Sequence, residues 1–291
     1  MRYTWFISGC QACGLVFTNP PPSQQEIDSY YVGDGEWAAE KLRPKNWAES
    51  QTRPLKPSQL SIVNTIDQAV PKTGTRRVLD FGCGRGHVLR GLKERGWETS
   101  GIDPMTAHLL QSYGHTMLET MPDEPMFDAA VMNHVLEHCV DPLEVLRGAS
   151  RCLKPSGYIY VGTPTLDRLQ EHGKDTYCIN HKFHLSAFTQ QSMTNLLALA
   201  GFRIVGVCPT GLSQRLALLA QRDDTARTLM APLQDAQREL QAHRADKMPL
   251  GNLLPIRIHA FLGNITMLAR QTARRLLRPV LSRMRYASAL R

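Results

Sequence analysis

Arg77-Val78-Leu79-Asp80-Phe81-Gly82-Cys83-Gly84-Arg85-Gly86 decides how the rest of the chain is read. Two apolar residues lead into an acid, three glycines follow at alternate positions, and a helix-like stretch runs from His87 to Glu94. The pattern predicts strand, tight loop and helix, with the loop at the carboxyl end of the strand. Glycines there let a backbone approach a ligand closely and take positive φ without a steric penalty. The amides that open the next helix favour a polar or anionic group in the same place. Thr99-Ser100-Gly101-Ile102-Asp103 ends a second short strand in another acid. It lies about twenty residues past the glycines, where a carboxylate can grip a ribose diol.

A ribose-gripping acid after a glycine loop fits two ligand classes. A dinucleotide fold uses G-x-G-x-x-G, with its third glycine one position beyond Gly86. This chain has G-x-G-x-G preceded by an acid. That spacing resembles motif I of the class I S-adenosylmethionine-dependent methyltransferases. The resemblance implies S-adenosylmethionine as cofactor, with Asp80, Phe81, Gly82, Gly84 and Gly86 forming its loop. Gly82 and Gly84 would position the methionine end, Asp80 would orient the loop or the amino group, and Asp103 would hold the ribose.

Later segments extend the likeness. Phe127-Asp128-Ala129-Ala130-Val131-Met132 reads as a central strand that opens into Asn133-His134-Val135-Leu136-Glu137-His138, followed by Asp141-Pro142. This is similar to the family's V-L-E-H-x-x-D-P segment. The same hexapeptide contains H-x-x-E-H, a zinc-protease pattern, but Pro142 stops the long helix that such a site needs. By its place in the fold, Asn133 and His134 fall beside the cofactor loop, and Glu137 and His138 brace the cleft. Met121 falls where the family lines its adenine pocket. Leu153-Lys154-Pro155-Ser156-Gly157 is a turn into a strand from Tyr158 to Gly162. His184-Leu185-Ser186-Ala187-Phe188-Thr189, with a helix and Ala200-Gly201-Phe202 after it, is similar to the ubiquinone-biosynthesis-like branch. Strands alternating with helices predict an α/β fold, a Rossmann-like doubly wound sheet. It is mostly parallel, with Leu216–Ala220 as an antiparallel last strand and a helical basic C-terminal extension.

Methyl transfer is an in-line displacement at a sulfonium carbon, and an oxygen nucleophile benefits from a base. His184 is the candidate base and His181 the second, both in a polar excursion expected over the cleft. A histidine that only ties down the loop fits the same spacing. The expected partner is a small-molecule or glycan substrate, a sugar of bacterial surface polysaccharide in the first instance. A quinone or other small-molecule hydroxyl is the alternative, and a non-catalytic binding protein on the same scaffold a third.

Cys10-Gln11-Ala12-Cys13-Gly14 is a zinc-ribbon-like knuckle whose two thiols, Cys10 and Cys13, are half of a tetrahedral set. No first C-x-x-C precedes it, so either the true start lies upstream or the knuckle is vestigial. The other cysteines are single and distant. Residues 1–22 are read as knuckle and linker, 23–220 as the methyltransferase domain with an N-terminal helical lid, and 221–291 as the extension. Trp37 and Trp47 fall in the lid region, as cover for the cleft or as core.

Seven scattered cysteines form no disulfide framework, and no uncharged apolar run reaches the ~18 residues of a membrane span. A cytoplasmic location is expected. The net charge of +8 is uneven: residues 212–291 hold 14 Lys/Arg against 5 Asp/Glu, and the rest of the chain is near neutral. From Pro255 on there are eight arginines and no acid. A basic amphipathic helix there can lie on the cytoplasmic face of the inner membrane, or dock its apolar side on the domain. Nucleic acid finds little support, because Phe261 and Tyr286 are the only aromatics in that stretch.

Overall fold

The computed structural model describes residues 6–10, 13–23, 25–27, 44–167, 183–210 and 215–223. His181, Trp37 and the basic stretch with its membrane-contact reading lie outside these residues.

The chain opens with a hairpin, β1 (Phe6–Gly9) and β2 (Val16–Asn19), then α1 (Pro44–Thr52) and α2 (Pro57–Ala69). The alternating core follows: β3 (Arg77–Phe81), α3 (His87–Lys93), β4 (Glu98–Ile102), α4 (Ala107–Gln111), β5 (Thr116–Met117) and β6 (Phe127–Asn133). A 3-10 turn (Leu136–His138), α5 (Pro142–Cys152), β7 (Leu153–Pro164), β8 (Ser186–Ala187), α6 (Gln190–Leu199), β9 (Phe202–Val207) and β10 (Arg215–Arg222) complete it. Seven strands pair in the order β5-β4-β3-β6-β7-β10-β9. Pairing from β5 to β7 is parallel, and β10 runs antiparallel to both β7 and β9. The Rossmann-like class read from the sequence is therefore the fold observed. No helix among the described residues is long and apolar enough to cross a membrane.

The strands are apolar on both faces because helices cover both faces. With a side-chain period of two, Leu79, Ala130, Met132, Ile159, Val161, Leu216 and Leu218 join one core, with α5 and α6. Val78, Ala129, Val131, Tyr160, Ala217 and Leu219 join the other, with α2 and α3. The helices start where the sequence offers caps. Asp141 accepts from Glu144 N at 3.0 Å ahead of Pro142, and Thr189 and Ser192 form a reciprocal capping box.

Asp67, on the buried side of α2, ties that helix to the sheet. It accepts from Arg76 at 2.8 Å and from the Trp97 indole at 3.0 Å. Burial alone would raise its carboxyl pKa, but the hydrogen bonds from Trp97 and Arg76 outweigh it and hold the group below its ordinary range.

Two features depart from the sequence reading. Leu153–Gly157 is no separate turn: α5 passes straight into β7, whose pairing with β6 shifts register between Phe127 and Ala129. Ser156, at φ 61°, absorbs the irregularity. The N-terminal hairpin also forms a second sheet with β8, in the order β1-β2-β8. Thr18 N donates to Leu185 O at 2.9 Å, and Cys13 and Leu15 enter the first core.

Candidate active site

Four neighbouring strands, β3, β6, β7 and β10, deliver their ends to one cleft with a cavity volume of about 130 Å³. Parallel α/β sheets bind ligands at the carboxyl ends of their strands. Asp80, Gly82, Asn133 and His134 line it, as do His87, Tyr160, Thr163 and Arg215.

The loop is shaped by backbone geometry. Gly82 takes φ 70° and Gly86 φ 68°, both left-handed. A Cβ on Gly82 would lie 2.6 Å from Val135 Cγ2, and one on Gly86 would lie 2.5 Å from Leu110 Cδ2. Gly82 N donates to Ile102 O at 2.8 Å, which joins the loop to β4. Gln51 of α1 donates to Arg85 O at 2.8 Å from the opposite side. Trp47, 4% exposed, packs in a small core with Cys83, Leu89 and Leu110, and so serves as core beneath the loop.

Asp103 is central to this loop. Its Oδ2 accepts from Gly84 N at 2.9 Å, and its Oδ1 accepts from Met105 N and Thr106 N, each at 3.1 Å. A carboxylate has about four acceptor positions, so one remains on Oδ2 for a ligand hydroxyl. Asp80, behind the glycines, is buried, and its carboxyl pKa is pushed up to about 8, first by burial and then by the charge of Asp103. At that value the carboxyl is protonated at neutral pH. His87 is neutral: burial, then Arg90, Arg85 and Lys56, lower its pKa to about 4. Its Nδ1 is buried without a hydrogen-bond partner on the cleft wall. Short buried donors and acceptors of this kind, a left-handed loop and a free acceptor on Asp103 fit an S-adenosyl cofactor with its ammonium and ribose.

These groups give a pH signature. A bound ammonium favours the ionised form of Asp80, so cofactor binding at neutral pH releases a proton. Affinity for S-adenosylhomocysteine is therefore expected to rise between about pH 6 and 8 and then level off. Calorimetry in buffers of differing ionisation heat reads the proton directly. Proton uptake, or an affinity flat over that range, contradicts the assignment.

His134 directly follows β6 with φ 60°, an uncommon conformation for a residue other than glycine. His134 N donates to Gly162 O at 2.7 Å, and its Nδ1 donates to Glu137 Oε1 at 3.0 Å. Glu137 is 1% exposed, yet its carboxyl pKa is lowered, because the His134 hydrogen bond and the neighbouring imidazoles outweigh the cost of burial. The two form a dyad that fixes the His134 ring, with Nε2 left as its acceptor nitrogen.

Other sequence expectations fall elsewhere. His184 is buried at 3% exposure with its ring 4.8 Å from that of His138, and it does not line the cleft. The chain turns it inward because Leu185 N bonds Glu137 O. Met121 packs against Gly148 of α5 and is likewise off the cleft lining. Phe81, Gly84, Gly86 and Asp103 shape the loop without lining the cavity. No third metal-ligating side chain joins Cys10 and Cys13 among the described residues. Burial pushes the Cys13 thiol up to about 11, so it is protonated at neutral pH. His87 and Arg215 line the cleft without being among the expected residues. Nothing in their spacing marks them, although His87 directly follows the loop.

Comparison with known proteins agrees with this geometry. A family profile described as a methyltransferase domain matches residues 36–207. The ubiquinone biosynthesis O-methyltransferase of Stutzerimonas stutzeri is 32% identical over 139 residues, 43% of this chain and 60% of that protein. That of Marinobacter nauticus is 33% identical over 141 residues, 43% of this chain and 59% of that protein. The chain thus spans about three-fifths of the length of these curated relatives. In fold, it is similar to human N-acetylserotonin methyltransferase in complex with S-adenosylmethionine. That likeness has a TM-score of 0.54 at 20% identity, over 69% of this chain and 60% of that one. It is also similar to Burkholderia thailandensis 1,6-didemethyltoxoflavin-N1-methyltransferase, with a TM-score of 0.51 at 17% identity, over 72% of this chain and 96% of that one. With more than half of its length matched by the domain profile, this chain belongs to the class I S-adenosylmethionine-dependent methyltransferase family.

Proposed function

We propose that this protein methylates a hydroxyl of a small molecule, with an aromatic hydroxyl as the acceptor that best fits its relatives. The observation that carries the reading is the convergence in one cleft of Asp80, Gly82 and the His134–Glu137 dyad. S-adenosylmethionine, when bound, supplies a methyl group on a sulfonium carbon. The chain's own residues do the rest. Asp80 and the loop amides hold the amino-acid end, and Asp103 accepts a ribose hydroxyl. His134 takes the proton of the acceptor hydroxyl at Nε2, while Glu137 stabilises the imidazolium through Nδ1. The sequence suggested His184 for this role, and the position of His134 on the cleft wall supports the reassignment.

A surface-polysaccharide sugar was the first expectation. The curated relatives are named instead for O-methylation in ubiquinone biosynthesis. The test presents full-length protein with methyl-labelled cofactor and two sets of acceptors, aromatic hydroxyls and simple sugars. Label on the aromatic oxygen is expected, with His134→Gln lowering kcat by about 10²- to 10⁴-fold. Label on sugars only, or an undiminished rate in His134→Gln, contradicts the reading.

A further inference from the structure

We propose that Glu137, His138 and His184 form a binding site for a divalent transition metal of the zinc type. One carboxylate oxygen and two imidazole nitrogens from these residues lie within 4.8 Å of one another. They come from two segments, the 3-10 turn after β6 and the chain leading into β8. Two cross-links hold the segments together. Leu185 N donates to Glu137 O at 2.6 Å, and His138 Nδ1 donates to Phe183 O at 2.8 Å. The donors are therefore positioned before any ion arrives.

The second cross-link also sets the chemistry of His138. With the proton on Nδ1, Nε2 carries the lone pair, which is the state that binds a metal. That nitrogen lies 4.0 Å from Glu137 Oε1. Glu137 itself calls for a cation. Its Oε1 accepts from His134, but Oε2 is buried with no hydrogen-bond partner. Buried polar atoms are nearly always satisfied, and an exception needs a physical reason such as an ion. His134 is then the outer hydrogen-bond partner that metal-binding carboxylates commonly have.

The donor set selects the metal. Two imidazoles and one carboxylate suit zinc, cobalt, nickel or ferrous iron, whereas magnesium and calcium prefer oxygen donors throughout. Three protein ligands leave a coordination position for water. The arrangement differs from the helix-borne H-x-x-E-H pair considered from the sequence. His134 stays on the cleft wall, and the third donor, His184, comes from a distant segment that the sequence does not place.

The knuckle thiols must be silenced in the test, because they also bind zinc. Full-length protein carrying Cys10→Ser and Cys13→Ser is stripped with a chelator and titrated with Zn²⁺ against a chromophoric competitor. It is titrated separately with Co²⁺, followed by visible absorption. One Zn²⁺ per chain is expected, with a higher melting temperature and no displacement by excess Mg²⁺. His184→Gln and Glu137→Gln in this background are expected to lose tight binding, and His134→Gln to weaken it about 10- to 100-fold. Circular dichroism establishes that each variant is folded. If Glu137→Gln does not fold, His184→Gln decides alone. Absence of binding in the stripped protein, unchanged affinity in His184→Gln, or displacement by Mg²⁺ overturns the proposal.

Discussion

Asp103→Ala is expected to weaken S-adenosylhomocysteine binding by ~10- to 100-fold and to destabilise the fold at the same time. The affinity loss follows from one charge-assisted hydrogen bond to a ribose hydroxyl, ~1.5–3 kcal/mol. The stability loss follows from its other partners. Alanine leaves the N–H groups of Gly84, Met105 and Thr106 without the acceptor they share. Two of these open α4 and the third holds the glycine loop, so a loss of about 3 kcal/mol is expected, with the bonds not additive. Urea unfolding measures the second effect and calorimetry the first. Wild-type stability in the alanine variant would show that Asp103 does not organise the loop. Wild-type affinity would show that the ribose goes elsewhere.

Gly82→Ala is expected to cost about 2–5 kcal/mol, from two sources. The left-handed φ of 70° costs a non-glycine residue about 1–2 kcal/mol. The new Cβ also meets Val135 Cγ2 at 2.6 Å, an overpacking cost of about 1–3 kcal/mol. Gly84→Ala separates the two. Its φ is 52°, but a Cβ there meets nothing within 4 Å, so the backbone cost of about 1–2 kcal/mol stands alone. Thermal unfolding of both variants, each beside wild type, is the measurement. Gly84→Ala as destabilising as Gly82→Ala would mean that the Val135 contact is relieved without cost. Double replacement, Gly82→Ala with Val135→Ala, should recover part of the loss, because the steric part disappears.

These residues show what was readable from the sequence and what was not. The parallel sheet was legible because short apolar segments such as Val78-Leu79, Ala129–Met132 and Tyr158–Val161 alternate with helical stretches. The strand-loop-helix around Gly82, Gly84 and Gly86 was legible because alternate glycines after an apolar strand permit a tight left-handed loop. Asp103 was legible as an acid at a strand end, but its three backbone partners were not, since they depend on how the loop folds back over β4. His184 was misplaced for a different reason. A histidine after a polar excursion can face the cleft or turn inward, and the bond from Leu185 N to Glu137 O selects the inward option. His134 shows the reverse. As one position in a motif it carries no mark of its left-handed backbone, which β6 and Gly162 impose together. Nor does a two-residue strand such as β8 offer enough periodicity to be seen, so the sheet it forms with the N-terminal hairpin was invisible.

The central claim is that the glycine loop, Asp80 and Asp103 bind an S-adenosyl cofactor. Isothermal titration of the full-length protein with S-adenosylhomocysteine, and in parallel with NAD, tests it most directly. Saturable binding of S-adenosylhomocysteine at one site per chain is expected, with proton release near neutral pH and no heat of binding from NAD. Saturable binding of NAD with S-adenosylhomocysteine silent would contradict it.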